Sequence, residues 1–360
     1  MSDARAVLVT GGAGFVGSNL AIRLKGAHPG WQVLAFDNLR RRGSELNLAR
    51  VREAGVEFIH GDIREPEDLS AIPGRIDLLL ECSAEPSVLA GSGGSPAYVV
   101  QTNLLGTFHC LERVRRDQGR MLFLSTSRVY PIRGLNEIRT EETEDRFSIL
   151  DRQDVPGISA RGVAEDFPLT GPRSLYGATK LASELLIEEY RDLYGVPSIV
   201  DRCGVIAGPW QMGKVDQGVF CLWMARHCFG GKLSYVGWGG TGKQVRDLLH
   251  IDDLGDLVEI QIRKFDRLDG ATFNVGGGAS TSLSLRETTA LCEEISGRRI
   301  EIGSVPETRL ADVKTYVSDI GRVSAATGWS PGRSPTDILR DIHDWIGSRK
   351  DELRPILGSE

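Results

Sequence analysis

The stretch "VLVTGGAGFVGSNLAIRL", residues 7–24, sets the architecture of the chain. It reads as a short apolar strand, a tight glycine-rich turn, and a helix whose N-terminus faces that turn. Gly11, Gly14 and Gly17 follow the spacing G-x-x-G-x-x-G. Glycine permits the turn itself, a close approach of backbone to a pyrophosphate, and tight packing of helix on strand; the free N–H groups of the helix then receive the anion. Any sharp strand-to-helix turn favours glycine, so context carries the weight. This is the first βα unit, and the next apolar run, "QVLAFD", ends in Asp37, twenty residues after Gly17. A carboxylate at that place accepts from an adenosine ribose. Phe15 and Val16, which lead into the helix, and Asn38 beside Asp37 are counted with the cofactor contacts. The Asp37 charge repels a 2′-phosphate and so favours NAD, with Arg40, Arg41 and Arg42 leaving NADP as the alternative. Asp62 in "HGDIR", with Ile63 after it, is placed to meet the adenine edge; capping of the next helix is the other use for that carboxylate.

On either side of this motif, the apolar runs "AVLVT", "QVLAFD", "VEFIHGD", "IDLLLE", "MLFLST" and "PSIVDRC" punctuate the first 205 residues, with helix-like stretches between most of them. Buried strands alternating with helices make βαβ units in a parallel sheet. The expected fold class is α/β, a Rossmann-type doubly wound parallel sheet with a smaller C-terminal substrate-binding domain. The dinucleotide-binding domain takes residues 1–205 with a strand returning near 247–275; the second domain takes 206–246 and 276–360.

A chain of 360 residues with 41% hydrophobic and 26% charged residues has the composition of a globular protein with a sizeable core. Its net charge of -6 argues against nucleic acid or an anionic membrane as partner. The cysteines at 82, 110, 203, 221, 228 and 292 form no C-x-x-C, so neither zinc nor a disulfide framework is expected. No run of 18 apolar residues occurs, and "MSDARAVLVTGG" enters a strand at once, so a cytoplasmic protein without a signal peptide is expected.

"SLYGATKLASELL", residues 174–186, sets Tyr176 and Lys180 on one face of a helix. A phenol of pKa about 10 is ionised about one part in a thousand at neutral pH, a gap of roughly 4 kcal/mol. An ammonium about 4 Å away supplies on the order of 4 kcal/mol at an effective dielectric near 20. Y-x-x-x-K is common by chance; behind a dinucleotide fold it marks a base and its activator. "FLSTSRVY", residues 123–130, is a strand ending in the hydroxyls of Ser125, Thr126 and Ser127. Sites in parallel sheets lie beyond the carboxyl ends of strands, so one hydroxyl can hold a substrate oxygen while others cap the strand.

Together "TGGAGFVG", "FLSTSRVY" and "YGATK" resemble the extended short-chain dehydrogenase/reductase family, the nucleotide-sugar epimerases and dehydratases, over nearly the whole chain. Within it "SAEPSVLAG", "RCGVIAGPWQMGKVDQGVF" and "GKQVRDLLHIDDL" resemble the branch that inverts C2 of CDP-sugars. Aligned on Val129 and Tyr130, the resemblance makes Thr126 the catalytic hydroxyl, with Ser125 next. It makes Tyr176 the acid/base, and Lys180 its support and a ligand of the nicotinamide ribose. Cys82, Ser83, Ala84, Asn103 and Cys203 match positions lining the NAD cofactor. Arg246 and Arg309 match two arginines that grip the diphosphate, which a guanidinium fork suits, with a surface ion pair as the other use. The implied reaction inverts C2 through a transient 2-keto sugar with tightly bound NAD, in a homo-oligomer without nucleic-acid or membrane partners. Tyr235 or Trp238 is a candidate to stack on the pyrimidine, unless both are core aromatics. The alternatives are a UDP-hexose 4-epimerase, a 4,6-dehydratase (disfavoured because Thr126-Ser127 stands where that class carries Asp-Glu), and a non-enzymatic dinucleotide sensor. Two features depart from the 4-epimerases: Val205 where many have Asn, and 50 residues from Thr126 to Tyr176, about twice their spacing. The extra polar segment, residues 133–173, is expected to shape the sugar pocket; a solvated surface excursion is the alternative.

Overall fold

The computed structural model describes residues 5–213, 217–309 and 311–358. Its backbone groups into two units, one holding the chain up to Val129 with Leu175–Arg202 and Gly255–Phe273, the other holding Tyr130–Ser174, Cys203–Leu254 and the chain from Asn274 onward.

In the first unit the apolar runs become a seven-stranded sheet. Its strands are β1 (Ala6–Thr10), β2 (Gln32–Asp37), β3 (Glu57–His60), β4 (Leu78–Glu81), β5 (Arg120–Thr126), β6 (Ser198–Cys203) and β7 (Thr272–Val275). The spatial order is β7-β6-β5-β4-β1-β2-β3, the doubly wound order in which the chain reverses direction across the sheet beside β1. β1 pairs in parallel with both β2 and β4, Val7 lying opposite Val33 on one side and Leu78 on the other. Helices cover the sheet faces, which is why β1, β4 and β6 are buried along nearly their whole length and read as unbroken apolar runs rather than alternating ones. Leu8, Leu34, Phe36, Leu79, Met121 and Phe123 from the strands pack with Leu111, Val114 and Ile187 from the helices to form the core.

Four helices matter for the site: α1 (Phe15–Ala27), α2 (Gly106–Asp117), α3 (Leu175–Tyr194) and α4 (Ile251–Arg263). Immediately before α2 the chain makes a π-helical turn at Gln101–Leu105. That widened turn carries Asn103, and such insertions occur disproportionately at functional sites.

The second unit is built on the strand Val245–His250, parallel to Val205–Ala207 and Thr315–Tyr316 and antiparallel to Ser282–Ser284. Residues 130–174 divide differently from the sequence expectation, grouping here rather than with the nucleotide-binding unit. The reason is pairing that the sequence does not announce. The segment forms two small hairpins, Phe147 donates its N–H to the Lys243 carbonyl, and Asn274 donates through Nδ2 to the Val163 carbonyl. Phe147, Val163 and Phe167 are buried, so the polar-looking insertion has its own share of core. Among the described residues no helix is long and apolar enough to cross a membrane.

Candidate active site

Thr10, Asp37, Glu81 and Thr126 are the last residues of β1, β2, β4 and β5, which places all four at the carboxyl end of the parallel sheet. The glycine turn closes this end. Gly11 adopts φ +63°, and a Cβ there would stand 2.9 Å from the Cys82 carbonyl oxygen and 3.0 Å from the Ser83 nitrogen. A Cβ on Gly17 would lie 2.2 Å from the Gly11 carbonyl oxygen. Only glycine lets the turn, the start of α1 and the segment Cys82–Ser83 meet this closely. The first turn of α1 contains no acidic side chain that would compete for an anion.

Asp37 is tied to this turn. Its Oδ2 accepts from Ala13 N at 3.1 Å and its Oδ1 from Leu39 N at 2.7 Å. Burial pushes its carboxyl above the ordinary value while the N–H groups of Leu39, Ala13 and Gly14 pull the other way. Asn38 donates through Nδ2 to Asp62 at 2.8 Å, and Arg64 forks onto the same carboxylate with its Nη2 at 2.7 Å. Against the cost of burial, these bonds hold Asp62 down at about 2. Arg40 lies over the Tyr98 ring at 3.9 Å, and Arg64 over the same ring at 5.0 Å. Ile63 is buried, and its carbonyl meets the His109 ring at 2.8 Å.

Cys82, Ser83 and Ala84 follow β4 and are half-buried. Asn103 works as a clip for that segment: its Oδ1 accepts from Glu85 N at 2.7 Å, and its Nδ2 donates to the Glu85 carbonyl at 3.1 Å and reaches Thr179 Oγ1 at 3.3 Å. The loop after β4 is thus fastened to the helix that carries Tyr176 and Lys180.

Tyr176, half-buried, and Lys180, buried, lie one turn apart near the start of α3, as the spacing requires. The Lys180 ammonium is 3.6 Å from Glu81 Oε2 and 3.8 Å from the centre of the Phe123 ring. The structure separates the two hydroxyls that the sequence leaves in competition. Ser125 donates to the Glu184 carboxylate, which Arg202 in turn grips with its Nη2 at 2.8 Å. Thr126, next along the strand, accepts from Arg128 N at 3.2 Å and retains its own hydroxyl proton for another acceptor. Glu81, Glu184 and Arg202 are not singled out by sequence reasoning. The readable signals were a carboxylate closing the apolar run "IDLLLE", and another one helical turn beyond Lys180.

The two arginines lie in the second unit. Arg246, on the strand Val245–His250, donates through Nη2 to Asp312 Oδ1 at 3.2 Å and to the Val313 carbonyl at 2.7 Å. Arg309 is exposed, and its carbonyl accepts from Asp312 N at 3.1 Å, so Asp312 joins the two arginine-bearing segments. Trp238 borders the same loop, its N–H donating to Thr308 Oγ1 at 2.9 Å. Tyr235 is committed to packing: it stacks against Trp223 and its hydroxyl bonds Thr289 at 2.8 Å. Cys203, the last residue of β6, is buried.

A doubly wound sheet whose first βα turn is closed by glycine, with an acidic residue ending β2, defines a Rossmann-type dinucleotide-binding fold. The chain belongs to the NAD dependent epimerase/dehydratase family, whose model matches residues 7–276. That family's cofactor is NAD. The chain is 30% identical over 353 residues to a CDP-paratose 2-epimerase of Salmonella typhi, covering 95% of this chain and 99% of that one. It is likewise 30% identical over 353 residues to a dTDP-glucose 4,6-dehydratase of Mycobacterium tuberculosis, covering 97% and 96%. Among solved structures it resembles the Thermus thermophilus UDP-glucose 4-epimerase in complex with NAD, with a TM-score of 0.73 and 26% identity over 95% of this chain and 99% of that one.

Proposed function

We propose that this protein is a nucleotide-sugar epimerase that inverts C2 of a CDP-sugar, of the CDP-paratose to CDP-tyvelose type, through a transient 2-keto sugar. The observation that carries an epimerase rather than a dehydratase is the end of β5. Ser125 is committed to Glu184, and the next two residues are Thr126 and Ser127, with no carboxylate pair to remove and donate protons at carbon. C2 and CDP rest on the similarity to the Salmonella typhi enzyme over nearly the full length of both chains.

Gly11, Gly14, Phe15, Val16 and Gly17 would hold the NAD pyrophosphate, Asp37 and Asn38 the adenosine ribose, and Asp62 and Ile63 the adenine. Cys82, Ser83, Ala84, Asn103 and Cys203 line the rest. Bound NAD supplies an acceptor, and later a donor, for the hydrogen on the reacting carbon. The chain's own residues handle the proton and the positioning. Thr126 holds the substrate oxygen by its hydroxyl. Tyr176 removes the proton from that oxygen and returns it after the sugar has turned, and Lys180 lowers the cost of the phenolate. Arg246 and Arg309 retain the diphosphate, so the keto sugar reorients without leaving. Trp238, beside Thr308 and Arg309, is the better placed aromatic for the pyrimidine. The protein works in the cytoplasm as a homo-oligomer, and the oligomer is supported by Leu105, Phe108, Leu185, Leu193 and Tyr194, which stand exposed in and around α2 and α3.

The test is a panel of CDP- and UDP-sugars followed by NMR, with the responding sugar then deuterated at C2. Inversion at C2 with label retained, and no deuterium entering C2 from D2O, is expected. Entry of solvent deuterium at C2 would show proton abstraction from carbon and end this reading. Inversion at C4 with C2 untouched would move the chain to the 4-epimerases.

A further inference from the structure

The acid/base reading of Tyr176 and Lys180 leaves one buried charge unused. Glu81 ends β4 with its carboxylate fully enclosed, and Lys180 is only 1% exposed. Their closest approach, 3.6 Å, is an ion pair too long for a good hydrogen bond. Glu81 Oε1 and Lys180 Nζ are both buried without a hydrogen bond. The Thr107 hydroxyl stands 3.3 Å from Glu81 Oε2, but its shorter contact, 2.8 Å, is to the Asn103 carbonyl. The Phe123 ring face at 3.8 Å gives the ammonium a weaker, uncharged partner.

The other titratable groups around the pair do not compensate it. Cys82, next to Glu81 on β4, and Cys110 on α2 are thiols that burial pushes far above their ordinary range, so both stay neutral. Glu184, one turn beyond Lys180 on α3, is already matched by Arg202. Burial pushes the Glu81 carboxyl up, and Lys180 is the main group pulling it back. Two charges enclosed together compensate each other, and removing one strands its partner.

We infer that Glu81 is a positioning residue: it is the counter-ion that keeps the Lys180 ammonium charged and fixed in a dry site, so that Lys180 can act on Tyr176. This rests on the reading of Tyr176 and Lys180 as the acid/base pair. An ammonium enclosed without a counter-ion gives up its proton readily, and a neutral lysine offers the phenolate nothing.

The sign of one measurement decides. Glu81→Gln keeps the shape of the side chain and removes the charge. Titrating the near-ultraviolet phenolate absorbance of the NAD-loaded protein, and subtracting the same titration of Tyr176→Phe, isolates the Tyr176 signal without any substrate. In Glu81→Gln that signal should move to higher pH by roughly one unit or more. Lys180→Met should move it similarly, and adding Glu81→Gln to Lys180→Met should move it no further. An unmoved titration would reduce Glu81 to packing. A move to lower pH would mean that Glu81 merely opposes a lysine that stays charged without it. Either result overturns the inference while leaving the acid/base pair standing. Should Lys180→Met leave the Tyr176 signal in place, the acid/base reading and the inference would fall together. Were Glu81→Gln unable to fold, Glu81→Asp, which withdraws the same charge by one methylene, should give a smaller move in the same direction, and an unmoved signal there would also overturn the inference.

Discussion

Replacing Asp201 by asparagine should stabilise this protein at neutral and alkaline pH and leave it nearly unchanged in acid. Asp201 lies in β6, fully enclosed, and accepts from Gln261 Nε2 on α4 at 2.7 Å. Burial is the dominant influence and pushes its carboxyl from 3.8 up to about 7, the Gln261 bond only partly opposing it. The unfolded chain gives up that proton near the ordinary value, whereas the folded chain keeps it until about pH 7. Between those values the folded state binds more protons than the unfolded one, so stability falls as pH rises. Below about pH 4 the contribution is fully present; above about pH 7 it is lost. A difference of about three pH units corresponds to a loss on the order of 4 kcal/mol. Asparagine has the shape of the protonated acid and nothing to ionise. Urea unfolding of both proteins at about pH 4 and about pH 8 should therefore give similar midpoints in acid and a higher midpoint for Asp201→Asn in base, with unchanged slopes. Parallel loss of stability in the two proteins across that range would refute the reasoning, because it would mean that Asp201 ionises alike in both states.

Tyr176→Phe should cut turnover by roughly a hundredfold or more while NAD still copurifies; near-normal turnover would make Tyr176 a packing residue. Gly17→Ala places a methyl group 2.2 Å from the Gly11 carbonyl oxygen, so the turn must open, with a stability loss of about 1–3 kcal/mol and release of the dinucleotide, read by the nucleotide content of the purified protein. The adjacent hydroxyls should separate cleanly. Ser125→Ala removes a bond to the Glu184 carboxylate and should cost roughly 1.5–3 kcal/mol of stability with turnover largely kept. Thr126→Ala should cost turnover at least about tenfold with little change in unfolding midpoint, and the reverse assignment of effects would exchange their roles.

What the sequence reveals here is local. The strand, turn and helix of residues 7–24 lie in one continuous stretch, and Asp37 ends the next apolar run, so periodicity and glycine spacing suffice to place them. Tyr176 and Lys180 are legible for the same reason, being one helical turn apart. Pairings between distant segments are another matter. Nothing in "FLSTSRVY" says that Ser125 is claimed by Glu184, and nothing in "IDLLLE" says that Glu81 faces Lys180, because each partner arrives on a later element and is chosen by packing. The same holds for residues 130–174. Their polar sequence suggests a wall of the sugar pocket or, alternatively, a solvated excursion, and does not announce that Phe147, Val163 and Phe167 are buried or that Phe147 and Val163 find backbone partners in segments about a hundred or more residues away. Asn103 is legible as a position of interest, but its clip to Glu85 and Thr179 depends on a π-helical turn that no periodicity announces.

The interleaving of the two units bears on how the chain is made. It passes from one unit to the other at Val129, Ser174, Arg202, Leu254 and Phe273. A ribosome delivers β1 to β5 first, then must release the hairpin segment before β6 can cover the open edge of β5, and β7 appears only after much of the second unit has been synthesised. For that interval the nascent sheet carries an uncovered strand edge, the condition in which chains cross-pair. Neither unit can be excised as a continuous gene fragment, because each is assembled from three separate stretches of the chain.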